Sequence, residues 1–192
     1  MYFNKKEEIL DIVKGLFSQK GCMLSMSDIA ECVKIKVPSL YSHFSSKDEI
    51  IYKVVEKEIN NYYDSLIIFF KKSKNEESKT ILEGYYLHIF AYFDTREKIK
   101  FWHNIYLIQN EDLRKKCKKL IVFRNETNLK KIKSIFEEGM LKGEIKKSDK
   151  EPELLYLAMI QGILEGILVY GDVSRLYTEK IWEAFWDGIR IP

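Results

Sequence analysis

The sequence is poor in residues that break helices, with 9 Gly and 3 Pro among 192 residues. No alternating apolar and polar run reaches a useful length, so no sheet is expected. With Lys, Glu, Leu and Ile abundant, this scarcity of breakers points to an all-α protein. Cysteine is scarce as well. Cys22, Cys32 and Cys117 are odd in number and share no metal-ligand spacing, so they read as reduced thiols of a cytoplasmic protein. Lys116 and Lys118 flank Cys117 and could lower its pKa, but an inert structural thiol is the plainer reading. Histidine occurs three times. There is no nucleophile–base pair at a recognisable spacing and no glycine-rich phosphate loop. An enzyme is therefore not expected, and neither is a cofactor or a metal. The opening Met1-Tyr2-Phe3-Asn4-Lys5-Lys6 lacks the apolar segment of a secretory signal. The longest apolar stretch, Leu154 to Tyr170, is interrupted by Gln161 and Glu165. It falls short of the ~20 apolar residues of a membrane helix, so no membrane partner is expected.

What the sequence does contain is enough apolar material, 46% of residues, for one large domain or two small ones. The net charge is only +3. Its distribution is uneven: residues 1–97 sum to −1, residues 98–150 to +8 and residues 151–192 to −4. The lysine-rich middle suits an acidic ligand or DNA, or else a solvated helix face, because its basic clusters alternate with apolar residues at helical spacing.

About nine helices can be read along the chain. Asn4-Lys5-Lys6-Glu7 fits a capping box ahead of the apolar stripe Ile9, Ile12, Val13, Leu16 and Phe17. Gly21 suits the left-handed position that ends a helix. A second box, Ser25-Met26-Ser27-Asp28, opens a short helix through Val33. A third helix is expected from Val37 to Phe44, with Pro38 in its first turn. Ser46-Lys47-Asp48-Glu49 starts a long fourth helix. Further helices are expected at 78–93, 95–109, 110–142, 150–170 and 175–189. Asp94-Thr95, Asn110 and Ser148-Asp149 would serve as caps, and Gly143 and Gly171 as ends.

Two short helices joined by a tight turn behind a capped first helix form a helix-turn-helix layout. The second helix of such a pair enters the major groove with its N-terminal side chains on base edges. Here these are Lys36, Val37, Pro38 and Ser39. Tyr41, His43 and Lys47 lie where the sugar-phosphate backbone would pass, and Lys47 opens a helix whose N–H groups attract phosphate.

The run Ile29-Ala30-Glu31-Cys32-Val33-Lys34-Ile35-Lys36-Val37-Pro38-Ser39-Leu40-Tyr41-Ser42-His43-Phe44-Ser45-Ser46-Lys47-Asp48-Glu49-Ile50 resembles the N-terminal signature of the TetR family of bacterial transcriptional regulators. Leu16-Phe17, Gly21 and Ser25 fall at matching positions. The resemblance covers about residues 4–55. It departs at Lys34, where the family usually has Gly, and at Lys36, where it usually has Ser or Thr. A lysine at the turn is costly if the backbone there needs positive φ. The resemblance implies DNA contacts from Ser25, Lys36, Val37, Pro38, Ser39, Tyr41, His43 and Lys47, with Tyr41, His43 and Lys47 mainly on phosphates. It also implies a helical body that binds a small effector and forms a homodimer. The expected organisation is thus a DNA-binding domain over 1–46 and an effector-binding and dimerisation domain over 47–192. The expected partners are a double-stranded DNA operator, a small-molecule effector and a second copy of the chain.

The residues support both parts of that body. Ala158, Gly162 and Gly166 recur every four residues and lay a smooth stripe along one helix. Each mid-helix glycine costs about 1 kcal/mol relative to alanine, which close approach of another helix would offset. Trp182, Phe185 and Trp186 give the last helix a broad apolar face. Together they are the expected dimer interface, the alternative being that both stripes pack inside one subunit. Aromatic residues crowd residues 85–106. The candidate effector pocket is Tyr86, Phe90, Trp102, His103, Tyr106, Phe123, Tyr156 and Met159. The alternative is an aromatic core. On these grounds the chain reads as a repressor released from a palindromic operator by a largely apolar or aromatic effector. The competing reading keeps DNA binding and replaces the effector with a protein partner.

Overall fold

The computed structural model describes residues 5–171 and 177–192. Among these residues the chain forms nine α-helices and one short 3-10 turn, with no strand. The helices are α1 Lys5–Lys20, α2 Met26–Val33, α3 Val37–Tyr41, α4 Lys47–Lys72, α5 Ser78–Tyr92, α6 Arg96–Tyr106, α7 Glu111–Lys142, α8 Pro152–Tyr170 and α9 Thr178–Ile189, and the 3-10 turn is Gly21–Met23. The expected cap at Asn4 and the expected start of the last helix at residue 175 lie outside the described residues.

The chain gathers into two compact units, Met1–Tyr62 with Glu97–Phe123, and Tyr63–Arg96 with Arg124–Pro192. In the first, α1 buries Ile9, Val13 and Phe17, and α2 buries Ile29 and Val33. Leu40 and Phe44 close this core from the α3 side, and Ile50, Val54 and Val55 from α4. Phe101 of α6 packs edge-on against Phe17, with ring centroids 5.4 Å apart. The end of α1 is pinned by polar groups. Gly21 takes φ +53°, the left-handed conformation that glycine adopts without strain. A side chain at this position would also press on Asn104, whose Oδ1 lies 3.1 Å from an ideal Cβ. The Cys22 thiol donates to the Leu107 carbonyl at 2.8 Å.

The second unit has an aromatic core. Tyr85, Tyr86, Phe136, Tyr156 and Trp182 are buried, and their rings lie in a connected series. Gly139 of α7 is a close-approach position: a Cβ there would meet Ile145 Cδ1 at 2.7 Å and Ser78 Oγ at 2.8 Å. Its carbonyl accepts from the Glu144 and Ile145 amides, which turns the chain after α7.

Several local readings need correction. α3 stops at Tyr41 rather than Phe44, because Ser42 and His43 leave the helix in a tight turn with the His43 amide on the Leu40 carbonyl. Ser148 does not cap α8. Its hydroxyl accepts from the Lys150 amide instead, and Glu151 enters the helix at φ +45° without a side-chain cap. Asn110, Gly143 and Gly171 act as expected, Asn110 by accepting from the Leu113 amide and the glycines at φ +76° and +74°. α8 is, by length and composition, apolar enough to cross a membrane, against the shortfall expected for its stretch. One such helix discriminates weakly, since the core helix of a globular protein passes the same test.

Candidate nucleic-acid interface

The reading head starts from a closed capping box. The Ser25 hydroxyl accepts from the Asp28 amide at 3.1 Å, and the Asp28 carboxylate accepts from the Ser25 amide at 2.8 Å. The same carboxylate accepts from the Ser25 hydroxyl at 2.6 Å and pairs with the Lys20 ammonium. These bonds, with Lys20 first, hold the Asp28 carboxyl well below the usual carboxylate range. Ser25 is exposed, but its hydroxyl is engaged on its own helix.

Lys34 closes α2 in the left-handed conformation, φ 57° and ψ 43°. Its amide reaches the carbonyls of Ala30 and Glu31. The backbone thus requires the glycine-like geometry that the sequence resemblance indicated, and a lysine occupies it. Relative to glycine this costs about 1 kcal/mol.

Lys36 precedes α3 with extended backbone and no side-chain cap, while Pro38 sits in the first turn where no amide donor is needed. Leu40 is fully buried and anchors α3 from beneath. Lys36, Pro38 and Ser39 are exposed, Val37 and His43 are half-buried, and Tyr41 is 55% exposed. The Ser42 hydroxyl donates to the Ser39 carbonyl at 2.7 Å and steadies the turn after α3. From Cys32 to Ser46 no acidic side chain occurs, whereas Lys34, Lys36 and His43 do, and Lys47 follows. An anion meeting this segment faces the ammonium groups of Lys34, Lys36 and Lys47 and no carboxylate within residues 32–46.

The start of α4 is built with equal care. Ser46 caps it by accepting from the Glu49 amide at 3.1 Å. Glu49 reaches back to accept from the Ser45 amide and hydroxyl, both at 2.7 Å. These bonds hold the Glu49 carboxyl below its ordinary range. Lys47 is therefore the first residue of a capped helix, half-buried beside a segment that carries Tyr41 and His43.

Residues expected elsewhere fall out differently. Of the eight pocket candidates, Trp102, His103, Tyr106 and Phe123 belong to the first unit, and Tyr86, Phe90, Tyr156 and Met159 to the second. Tyr106 and Phe123 are exposed. Trp102 packs edge-on against Tyr62 at 5.2 Å. Tyr86 and Tyr156 are fully buried, and their hydroxyls donate to the Thr178 and Leu82 carbonyls at 2.7 and 2.6 Å. Phe90 and Met159 are half-buried. Burial pushes the Tyr86 hydroxyl up to about 12. These two tyrosines behave as core.

The dimer candidates also divide. Ala158 and Gly162 are exposed and Gly166 is half-buried. Trp182, Phe185 and Trp186 are instead buried in their own unit, with Phe185 against Tyr156 at 5.4 Å and Trp182 stacked on Trp186. Within the chain these three side chains therefore leave little of their area open, whereas Ala158 and Gly162 leave theirs exposed. Asn104, next to the candidate His103, donates from its side-chain amide to the carbonyls of Phe17 and Ser18. Cys117 is fully buried, and burial pushes its thiol up to about 11, so its flanking lysines do not activate it.

Comparison with known proteins converges on this head. Residues 9–54 match the family model for bacterial regulatory proteins of the tetR family. The negative transcriptional regulator IcaR of the biofilm operon icaADBC from Staphylococcus epidermidis is 35% identical over 95 residues, covering 48% of either chain. The chain therefore spans about half the length of that relative. The same regulator from Staphylococcus aureus strain Newman is 31% identical over 151 residues, covering 71% of this chain and 78% of that one. The fold is similar to that of the transcriptional regulator FadR of Bacillus subtilis, solved in complex with stearoyl-CoA. That match has TM-score 0.73 and 16% identity, over 96% of this chain and 99% of that one. It is also similar to the reduced form of Escherichia coli NemR, with TM-score 0.71 and 18% identity, over 98% and 99%.

Proposed function

The chain belongs to the tetR family of bacterial regulatory proteins, and on that footing we propose that it is a homodimeric transcriptional repressor that binds a palindromic operator. The observation that carries this reading is the exposed Lys36 at the entrance to α3, with exposed Pro38, Ser39 and Tyr41 on that helix, which is held from beneath by Leu40 next to the capped start of α4. Lys36, Val37, Pro38 and Ser39 meet base edges. Val37 and Pro38 offer only apolar contacts, such as to a thymine methyl, while Ser39 bonds a base or a phosphate. Tyr41, His43 and Lys47 take phosphates, which add affinity without sequence information. Ser25 contributes chiefly by ordering α2.

Two reading heads on a two-fold operator require a dimer. α8 supports one, because Leu155 and Val169 are 62% and 69% exposed on a helix that also shows Ala158 and Gly162 to solvent. A second copy of α8 would cover that apolar strip. Release follows from a small, largely apolar or aromatic effector that favours a state with the heads wrongly spaced. This is a population shift, so the effector binds the two states unequally. A ligand-bound precedent for the fold is the similarly folded FadR of Bacillus subtilis, solved in complex with stearoyl-CoA.

A second reading replaces the effector with a protein partner. The observation favouring it is the closed bonding of Tyr86 and Tyr156 inside the second unit. The test is fluorescence anisotropy with duplexes selected by the protein from random sequence, at two salt concentrations. The expected result is selective binding that weakens steeply with salt and is lost in Tyr41→Ala and Lys47→Ala. A folded, dimeric protein that selects no duplex overturns the reading. A compound screen on the bound complex then separates effector release from partner control.

A further inference from the structure

Asn110 stands between α6 and α7, and its side chain is used at both ends. Its Oδ1 accepts from the Leu113 amide at 3.0 Å, and its backbone carbonyl accepts from the Arg114 amide at 2.9 Å, so the residue is fixed as the cap of α7. Its Nδ2 donates to Asp48 Oδ2 at 2.8 Å. Asp48 is the second residue of α4, directly after Lys47. The first turn of α4 is in turn tied to the preceding loop by the Ser46 cap and by Glu49 on Ser45. One hydrogen-bonded series therefore runs from the start of α7 through Asn110 and Asp48 to the loop and lysine that face phosphate.

The corner is not packed solid. A cleft of about 350 Å³ opens there, lined by Ser45, Asp48, Tyr52, Asn110, Asp112 and Lys116 among others. Where apolar packing is interrupted, a hydrogen bond to a charged group sets geometry more strongly. The bond also governs an electrostatic detail. Asp48 is an anion next to the lysine that meets phosphate, and the Asn110 amide holds its carboxylate on the α7 side.

We propose that Asn110 is a positioning residue for DNA binding: by holding Asp48 it sets the start of α4, and with it Lys47 and Ser45–Ser46, at the operator surface. This rests on the DNA-binding reading above. Asn110 touches no DNA and acts through Asp48.

The test measures affinity for a duplex selected by the wild-type protein, together with the melting temperature, for Asn110→Ala, Asn110→Asp, Asp48→Asn and the double variant Asn110→Asp/Asp48→Asn. Asn110→Ala should bind roughly five- to tenfold more weakly, about the weight of one ordinary hydrogen bond. Asn110→Asp should bind more weakly still, since two carboxylates then face each other. Adding Asp48→Asn should improve binding by Asn110→Asp more than it improves the wild type, because the amide and carboxylate have exchanged places. A loss confined to melting temperature, with affinity within twofold of wild type, overturns the proposal. So does a swap that gives no extra recovery. If the wild type selects no duplex, the DNA-binding reading itself falls; if it binds and the variants match it, only the role of Asn110 does.

Discussion

Asn104 on α6 donates from its side-chain amide to the Phe17 carbonyl at 2.8 Å and to the Ser18 carbonyl at 3.2 Å, joining residues 87 and 86 positions apart. The carbonyls lie in the last turn of α1, where no amide of the same helix is available to them. Gly21 follows in the left-handed conformation that lets the chain turn beneath Asn104. Replacing Asn104 with Ala should destabilise the protein by about 1–2 kcal/mol, the cost of leaving such acceptors unmet. Gly21→Ala should cost a similar amount through its φ and its contact with Asn104. Thermal unfolding followed by circular dichroism checks both, at about 2–4 °C per kcal/mol for a chain of this size. Unchanged melting in both variants would contradict the role of this joint.

Lys34 carries two effects of opposite sign. Lys34→Gly should raise stability by up to about 1 kcal/mol, by relieving a non-glycine residue at φ 57°. The same change removes a cation from a segment free of carboxylates, so operator binding should weaken and its salt dependence become shallower. Melting temperature and the slope of affinity against salt measure the two separately. A variant that is both less stable and tighter on DNA would refute the account.

Cys117 should be inert to alkylation in the folded protein at pH 8, whereas the exposed Cys32 should react readily. Mass spectrometry after brief iodoacetamide treatment reports this. The same burial has a consequence for alkaline stability. The folded thiol ionises at about 11 against an ordinary value of 9.0. A raised acid pKa means that the unfolded state releases its proton first. The stability this thiol contributes is therefore complete below pH 9 and is lost as pH rises through 11, at up to about 1.4 kcal/mol per pH unit. Cys117→Ala should flatten that part of the alkaline unfolding curve.

The exposed strip of α8 and the buried face of α9 should respond differently to substitution. Leu155→Lys should leave the fold intact and shift the protein from dimer to monomer, read by size exclusion with light scattering. Trp182→Ala should instead lower stability by about 3–5 kcal/mol, the usual loss for a large buried aromatic. Dimers that persist in Leu155→Lys would place the interface elsewhere.

The sequence alone determined the local features of the head. The Ser25–Asp28 box, the glycine at position 21, the proline in the first turn of α3 and the Ser46–Glu49 start all act over three or four residues, so their chemistry is complete within a short window. Periodicity likewise marked which side of each helix is apolar. It did not say what covers that side. Trp182, Phe185 and Trp186 make an apolar stripe whose cover the sequence leaves open, and only the folded chain shows Trp182 and Phe185 packed on Tyr156 and Trp186 stacked on Trp182. The pocket candidates from Tyr86 to Tyr106 were grouped because aromatics crowd that stretch of sequence, yet Tyr86 and Phe90 belong to one unit and Trp102, His103 and Tyr106 to the other. Asn104 and Asn110 look like ordinary polar residues at helix ends, but they bond groups 62 to 87 positions away. A hydrogen bond between distant segments leaves no periodic trace in either of them, because it exists only once the helices that carry its two ends have been brought together.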